Sequence, residues 1–110
     1  MWWSYGLILY TEKLLPKTRA GLTIGCIILI GTKHKDDKGL IEHEKTHCKQ
    51  FKRNPFMPLL YLISKKHRLA YEVEAYKISI KYGWPLEYCA TCLTHYNLNI
   101  TYEKAMELLK

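Results

Sequence analysis

The chain has 110 residues, of which 48% are apolar, so it is not a disordered tail and has room for one domain with a modest core. The net charge of +7 favours acidic partners, but no run of five or six like charges marks a nucleic-acid-binding tail. The longest apolar segment, 21–31, is shorter than the roughly 20 residues of a membrane span. We therefore expect a single domain over 1–110 with no membrane span, and nucleic acid is not the favoured partner.

The expected location is the cytoplasm. The first residues lack the basic region and the cleavage site of a secretory signal. The four cysteines are too few for a disulfide scaffold in a chain of this length and fit reduced thiols.

The first third of the chain predicts strands. The run 6–10 is short and apolar, and 22–30 is rich in β-branched residues between two glycines, which predicts a buried strand or hairpin arm. Trp2, Trp3 and Tyr5 are expected to pack an N-terminal strand.

The remainder of the chain predicts helices. Asp36 or Asp37 can cap a helix that ends near residue 53, and Pro58 suits the first turn of a second helical stretch. Further helices are expected over about 64–82, before Gly83, then from 85 to about 95, and over 102–109 with Asn99 or Thr101 as its cap. Strands followed by helices constitute an α+β fold.

His43, Glu44 and His47 form an H-E-x-x-H motif inside the first predicted helix. Residues four apart lie on one helix face, so both imidazoles can bind one zinc ion. Glu44 then stands beside the metal, where it can take a proton from bound water. At ~100° per residue, Leu40 and Phe51 share the histidine face and would keep it poor in water. The motif therefore predicts one Zn²⁺ ion per chain.

A catalytic zinc takes three protein ligands and keeps one position open. Arg53 stands where the metzincin pattern carries its third His, and no Asp follows Asp37. The remaining candidates are Glu72, Glu74, Glu87, Glu103 and Glu107.

The face of the third predicted helix distinguishes among these candidates. Its apolar stripe is formed by Leu69, Val73, Tyr76 and Ile80. Glu72 borders that stripe, whereas Glu74 points away from it and could orient a zinc-bound histidine. A carboxylate beside a buried face needs a partner. That partner is zinc or, alternatively, Arg68 one turn earlier.

The motif around His43 and His47, with Gln50 and the segment 68–76 (Arg-Leu-Ala-Tyr-Glu-Val-Glu-Ala-Tyr), resembles the gluzincin group of zinc metallopeptidases. It is most similar to short, stand-alone members of the kind that phages encode, over residues 20–80. Related larger families take their third ligand from an E-x-x-A-D segment, which 72–76 matches except that Tyr76 replaces Asp. The resemblance implies a minimal zincin-like domain: a short N-terminal sheet, an active-site helix, a long helix with the third ligand, and C-terminal helices.

Together, residues and resemblance predict a metallopeptidase in which zinc is bound by His43, His47 and Glu72 and Glu44 is the general base. The strand over 22–30 is expected beside the cleft, where its edge can pair with a peptide or protein substrate. A domain this small has little room for specificity pockets, so a protein partner is expected to complete the cleft. The donor to the oxyanion stays open among His67, Arg68, Tyr71 and Tyr76.

Two other functions remain open. One is a binding or structural protein that keeps the zinc fold without turnover, and the other is a basic nucleic-acid-binding domain. Cys89 and Cys92, with His95 three residues later, lack the second pair of ligands that a structural zinc site needs, so two buried thiols are expected.

Overall fold

The computed structural model describes residues 7–15 and 19–110, and the strand predicted around Trp2, Trp3 and Tyr5 lies outside them. Strands precede helices in the described residues, as predicted for an α+β fold. The strands are β1 (Leu7–Tyr10), β2 (Gly21–Ile24) and β3 (Ile27–Ile30). The helices are α1 (Lys38–Arg53), α2 (Met57–Ile63), α3 (Lys65–Lys81), α4 (Leu86–Leu93) and α5 (Tyr102–Leu109).

The apolar run predicted as a strand or hairpin arm is a complete hairpin of β2 and β3. Gly25 makes the turn with a φ of +60°, which residues with a Cβ rarely adopt. β3 is the central strand, parallel to β1 and antiparallel to β2. Within the described residues, β2 therefore has one paired edge and one edge that is open beside α1.

Local capping signals set the helix ends. The side chains of Asp37, Ser64 and Thr101 each accept a hydrogen bond from a backbone N–H in the first turn of α1, α3 and α5. Gly83, with a φ of +107°, follows the end of α3. The predicted helices are thus confirmed, although α4 ends at Leu93, slightly before the expected residue 95.

The apolar core has two parts. The sheet and α1 share Ile28, Ile30, Leu40 and Cys48. The second part, called the C-terminal cluster below, joins α3, α4 and α5 and consists of Tyr76, Cys89, Ala90, Leu93, Leu98, Ala105 and Leu109. Between the two, α1 and α3 form the most extensive helix contact, and the residues buried there are polar. Every described helix is too short or too polar to cross a membrane.

Candidate metal centre

The predicted metal ligands lie close together at the contact of α1 and α3. The Oε1 atom of Glu72 lies 3.3 Å from Nε2 of His43 and 3.3 Å from Nε2 of His47. The two Nε2 atoms are 3.2 Å apart. These three residues form a group that could hold a metal ion, and it is the one such group in the described part of the chain.

The size of this triangle fits a bound ion. An ion with tetrahedral geometry and bonds of about 2.0 Å would hold its ligand atoms roughly 3.3 Å apart. The Glu72 side chain is almost fully buried, yet its Oε1 accepts no hydrogen bond from any described residue. A buried carboxylate oxygen without a partner is costly, and a cation would remove that cost.

Hydrogen bonds fix which nitrogen of His47 faces the triangle. Nε2 of Gln50 donates to the Tyr71 carbonyl at 2.9 Å and to Oε1 of Glu74 at 2.8 Å, so its Oε1 is left to accept. Nδ1 of His47 lies 2.8 Å from that oxygen and must carry the hydrogen. The Nε2 lone pair of neutral His47 therefore points toward Glu72.

His43 is held in the same way by Ser79. The Ser79 hydroxyl donates to the Gly39 carbonyl at 2.9 Å and can accept from Nδ1 of His43 at 3.3 Å. Two imidazole lone pairs and one carboxylate oxygen thus converge with no hydrogen between them when both histidines are neutral. Such a set of acceptors needs a cation at its centre, which is either a metal ion or a proton.

The pKa values of His47 and Glu72 indicate that a proton takes the place of the cation in the metal-free protein. Burial alone would lower the pKa of His47, but the Glu72 carboxylate beside it raises that pKa to about 9. Burial would raise the pKa of Glu72, yet the two histidines hold it well below its usual range. A proton on His47 thus replaces the cation when no metal is bound.

Tyr61 in α2 completes the surroundings of Glu72. Its hydroxyl donates to Oε2 of Glu72 and leaves Oε1 to the histidines. Burial and the adjacent carboxylate raise the pKa of Tyr61 far above its usual value, so the hydroxyl remains a donor. Tyr61 therefore fixes which oxygen faces the triangle.

Glu44 is buried between α1 and β2. The Thr23 hydroxyl donates to Oε1 of Glu44 at 2.8 Å and also lies 3.0 Å from the Glu44 carbonyl. Gly21 permits this approach, because a Cβ there would lie 3.2 Å from Cγ and 3.3 Å from Oε2 of Glu44. The edge strand thus holds the Glu44 carboxylate near the triangle.

Two cavities adjoin at Glu44 and Arg19, which line both. The first, called the apolar lobe, has about 610 Å³ and is lined by His47, Glu72 and residues of β2 and α2, among them Leu22, Ile24, Met57 and Leu62. The second, called the aromatic lobe, has about 430 Å³ and is lined by His43, Tyr76, Trp84, Tyr88 and Tyr96. The expectation of little room for pockets was wrong, because β2, α1, α2 and α3 surround a space that their side chains do not fill.

Two residues predicted near the ligands lie at other positions. Glu74 contacts Gln50 and Arg53 rather than a histidine, so it reaches His47 only through Gln50. Arg68 does not pair with Glu72. Its guanidinium donates instead to the carbonyls of Tyr61, Leu62 and Tyr96, which removes the predicted alternative partner of Glu72.

Of the four predicted oxyanion donors, Tyr76 alone lines a cavity beside the triangle. Its ring packs edge-on against His43, with centroids 4.4 Å apart, and its hydroxyl lies 2.7 Å from that of Tyr96. His67 is exposed and contacts the Ser64 cap and the ring of Tyr71. Arg68, as described, is engaged by backbone carbonyls.

Sequence reasoning missed three positioning residues, Thr23, Tyr61 and Ser79, and gave Gln50 no role. Ser79 follows Glu72 by seven residues and Gln50 follows His47 by three, so helical spacing could have found both. Tyr61 and Thr23 come from other elements and give no periodic signal.

The cysteines form no part of the triangle. Cys89 is fully buried and Cys92 is partly buried in α4, both as free thiols. Burial raises the pKa of Cys89 to about 12, so it is an inert thiol at neutral pH. The expectation of two buried thiols is right for Cys89, while Cys92 reaches the wall of the aromatic lobe.

No protein-family model, curated protein or solved structure matches this chain. The resemblance to gluzincins therefore rests on the motif residues alone.

Proposed function

We propose that the chain is a zinc-dependent metallopeptidase with a minimal zincin-like fold. One observation carries the proposal: Nε2 of His43, Nε2 of His47 and Oε1 of Glu72 form a buried triangle that opens onto a cleft. Two imidazoles and one carboxylate form a ligand set that suits zinc. His43, His47 and Glu72 would hold one ion per chain.

Zinc held by these three residues would supply Lewis-acid chemistry and would lower the pKa of a water molecule to about 7. Glu44 would take the proton from that water and later give it to the leaving amine. Thr23 holds one oxygen of the Glu44 carboxylate, so the other oxygen is left for this transfer. Tyr61, Gln50 and Ser79 keep the ligands in place throughout.

The substrate proposed for this cleft is an extended polypeptide. The open edge of β2 offers backbone groups to a strand added beside it, and Leu22 and Ile24 of β2 line the apolar lobe. Because cavities lie on both sides of Glu44, the chain can bind side chains on both sides of the scissile bond. The larger cavity suits a large apolar side chain.

The pair of tyrosine hydroxyls in the aromatic lobe is the proposed donor to the oxyanion. The two hydroxyls of Tyr76 and Tyr96 carry two hydrogens, and their mutual bond uses one of them. The second hydrogen can be donated to a bound carbonyl. We expect Tyr96→Phe to lower kcat about tenfold with little change in KM. An unchanged kcat would remove Tyr96 from the mechanism.

Metal content tests the ligand set. Wild type should bind one zinc ion per chain, and Glu72→Ala should lose it. Glu103→Ala, an exposed carboxylate of α5, is the matched control and should retain it. A folded wild type that binds no zinc after zinc is supplied would contradict the proposal.

Turnover of a peptide library tests the chemistry. Glu44→Gln should keep the zinc and lose cleavage by at least a hundredfold, because the general base is absent. Full activity in that variant would refute the role of Glu44. Zinc binding without cleavage of any peptide would favour the alternative of a zinc-fold binding protein.

A further inference from the structure

The helix α2 and its N-cap residue Phe56 expose an unusual apolar face. Phe56, Leu59, Leu62 and Ile63 are 70%, 54%, 71% and 70% exposed. At ~100° per residue these four side chains lie within an arc of about 120°. The opposite face carries Met57, which is buried, and Tyr61, which is partly buried and contacts Glu72. The helix is thus apolar on both faces, and one of them meets solvent, which marks an interaction surface.

The net charge of the chain is concentrated around this helix. Residues 45–71 contain seven Lys and Arg and no Asp or Glu. The rest of the chain holds the other ten Lys and Arg and all ten Asp and Glu, so it is neutral by formal count. The whole net charge of +7 therefore belongs to the end of α1, to α2 and to the start of α3.

Several of these cations flank the apolar face in the sequence. Lys65 and Lys66 follow Ile63 after a single cap residue, and Lys52 and Arg53 precede Phe56 by a few residues. All four are exposed. Glu74 pairs with Arg53, whereas no acidic residue lies within five residues of Lys65 or Lys66 in the sequence. Exposed basic residues therefore precede and follow the apolar segment of α2 in the chain.

We propose that this face docks on an anionic lipid bilayer, with these four apolar side chains in the interface and the lysines at the headgroups. An apolar helix face beside basic residues is the pattern of interfacial helices. A second copy of the chain would bring two basic segments together, which opposes self-association through this face. The docking does not depend on peptidase activity.

Co-sedimentation with vesicles tests the docking. The full chain should bind vesicles that contain phosphatidylglycerol and should bind phosphatidylcholine vesicles at least tenfold more weakly. Raising the salt to 1 M, where the Debye length is about 3 Å, should release much of the protein. No binding to acidic vesicles, or equal binding to both kinds, would overturn the proposal.

Two pairs of variants separate the apolar and charged contributions. Leu59→Ser with Ile63→Ser should weaken binding at least tenfold, while Tyr82→Ser with Tyr102→Ser, exposed elsewhere, should not. Lys65→Gln with Lys66→Gln should weaken it more than tenfold, since each lysine contributes about fivefold, while Lys104→Gln with Lys110→Gln should have less effect. Neither Leu59 nor Ile63 lines the cleft, so zinc content should not change.

Sedimentation velocity without lipid tests whether the face instead binds a second copy of the chain. A monomer that stays monomeric with or without the serine substitutions supports the proposal. A dimer that dissociates when Leu59 and Ile63 are replaced would assign the face to a second copy and overturn the proposal.

Discussion

α3 stands between two packed regions of opposite chemistry. Toward α1 it presents Glu72 and Ser79, which are buried among polar groups. Toward α4 and α5 it contributes to the C-terminal cluster, where Leu93 is fully buried among apolar side chains. The apolar region is stabilised mainly by burial, whereas the polar region needs each donor, acceptor and cation in place.

Because of this difference, we expect that stability and metal binding can be perturbed separately in this chain. A substitution in the C-terminal cluster should change the free energy of unfolding and leave metal binding intact. A substitution among the polar groups should change metal binding more than folding. Tyr76 belongs to both regions, since its ring packs in the cluster and against His43.

Leu93→Ala should have the largest effect. It removes a fully buried side chain and leaves a cavity, which costs about 2–5 kcal/mol of unfolding free energy. Urea denaturation would measure the loss, and zinc per folded chain should stay at one. Zinc loss from the folded variant would show that the two regions are coupled.

Tyr61→Phe should weaken metal affinity about 10- to 100-fold, because Glu72 loses the donor that fixes its orientation. The change is best measured by competition with a chromophoric chelator. Tyr82→Phe, at the exposed end of α3, is the matched control and should bind metal like wild type. An unchanged affinity in Tyr61→Phe would mean that Glu72 needs no fixed orientation.

The polar region should also respond to pH. The pKa of His47 is raised to about 9, so below pH 9 a bound metal must displace one proton. Apparent affinity should therefore increase about tenfold per pH unit between pH 7 and 9. A plateau above pH 7 would indicate an ordinary histidine pKa and contradict the pairing with Glu72.

The same pairing affects the stability of the metal-free protein, with the opposite direction in pH. Because the pKa of His47 is raised in the folded protein, the protonated histidine stabilises the folded state. This stabilisation is complete below pH 6.5, the pKa in the unfolded chain, and is lost as pH rises through about 9. The metal-free protein should thus be less stable at pH 9.5 than at pH 6. Thermal unfolding in the presence of a chelator would show it.

The smallest effect is expected from Thr23→Val. The variant removes a hydrogen bond to the Glu44 carboxylate, worth about 0.5–1.5 kcal/mol, so kcat should decrease about two- to tenfold. Zinc content should not change. Thr91→Val, which removes a hydroxyl exposed on α4, is the control and should keep full kcat.

Features that depend on neighbours along the chain, such as helix ends and shared helix faces, can be predicted from the sequence. Helix ends follow from caps such as Asp37 and Ser64, because a short polar side chain satisfies a backbone N–H within one turn. The shared face of His43 and His47 follows from helical spacing. Glu72 was selected because it borders the apolar stripe of its own helix, and the structure places it at the triangle.

Contacts that depend on the path of the chain between elements become visible in the folded structure and not in the sequence. The hydrogen bond from Tyr61 to Glu72 requires α2 to pack against α3. The contact of Thr23 with Glu44 requires the edge strand β2 to lie against α1. The cleft itself exists because the hairpin and α2 stand on either side of α1. Periodicity cannot predict such contacts, since they are fixed by how whole elements pack and not by the spacing of residues within one element.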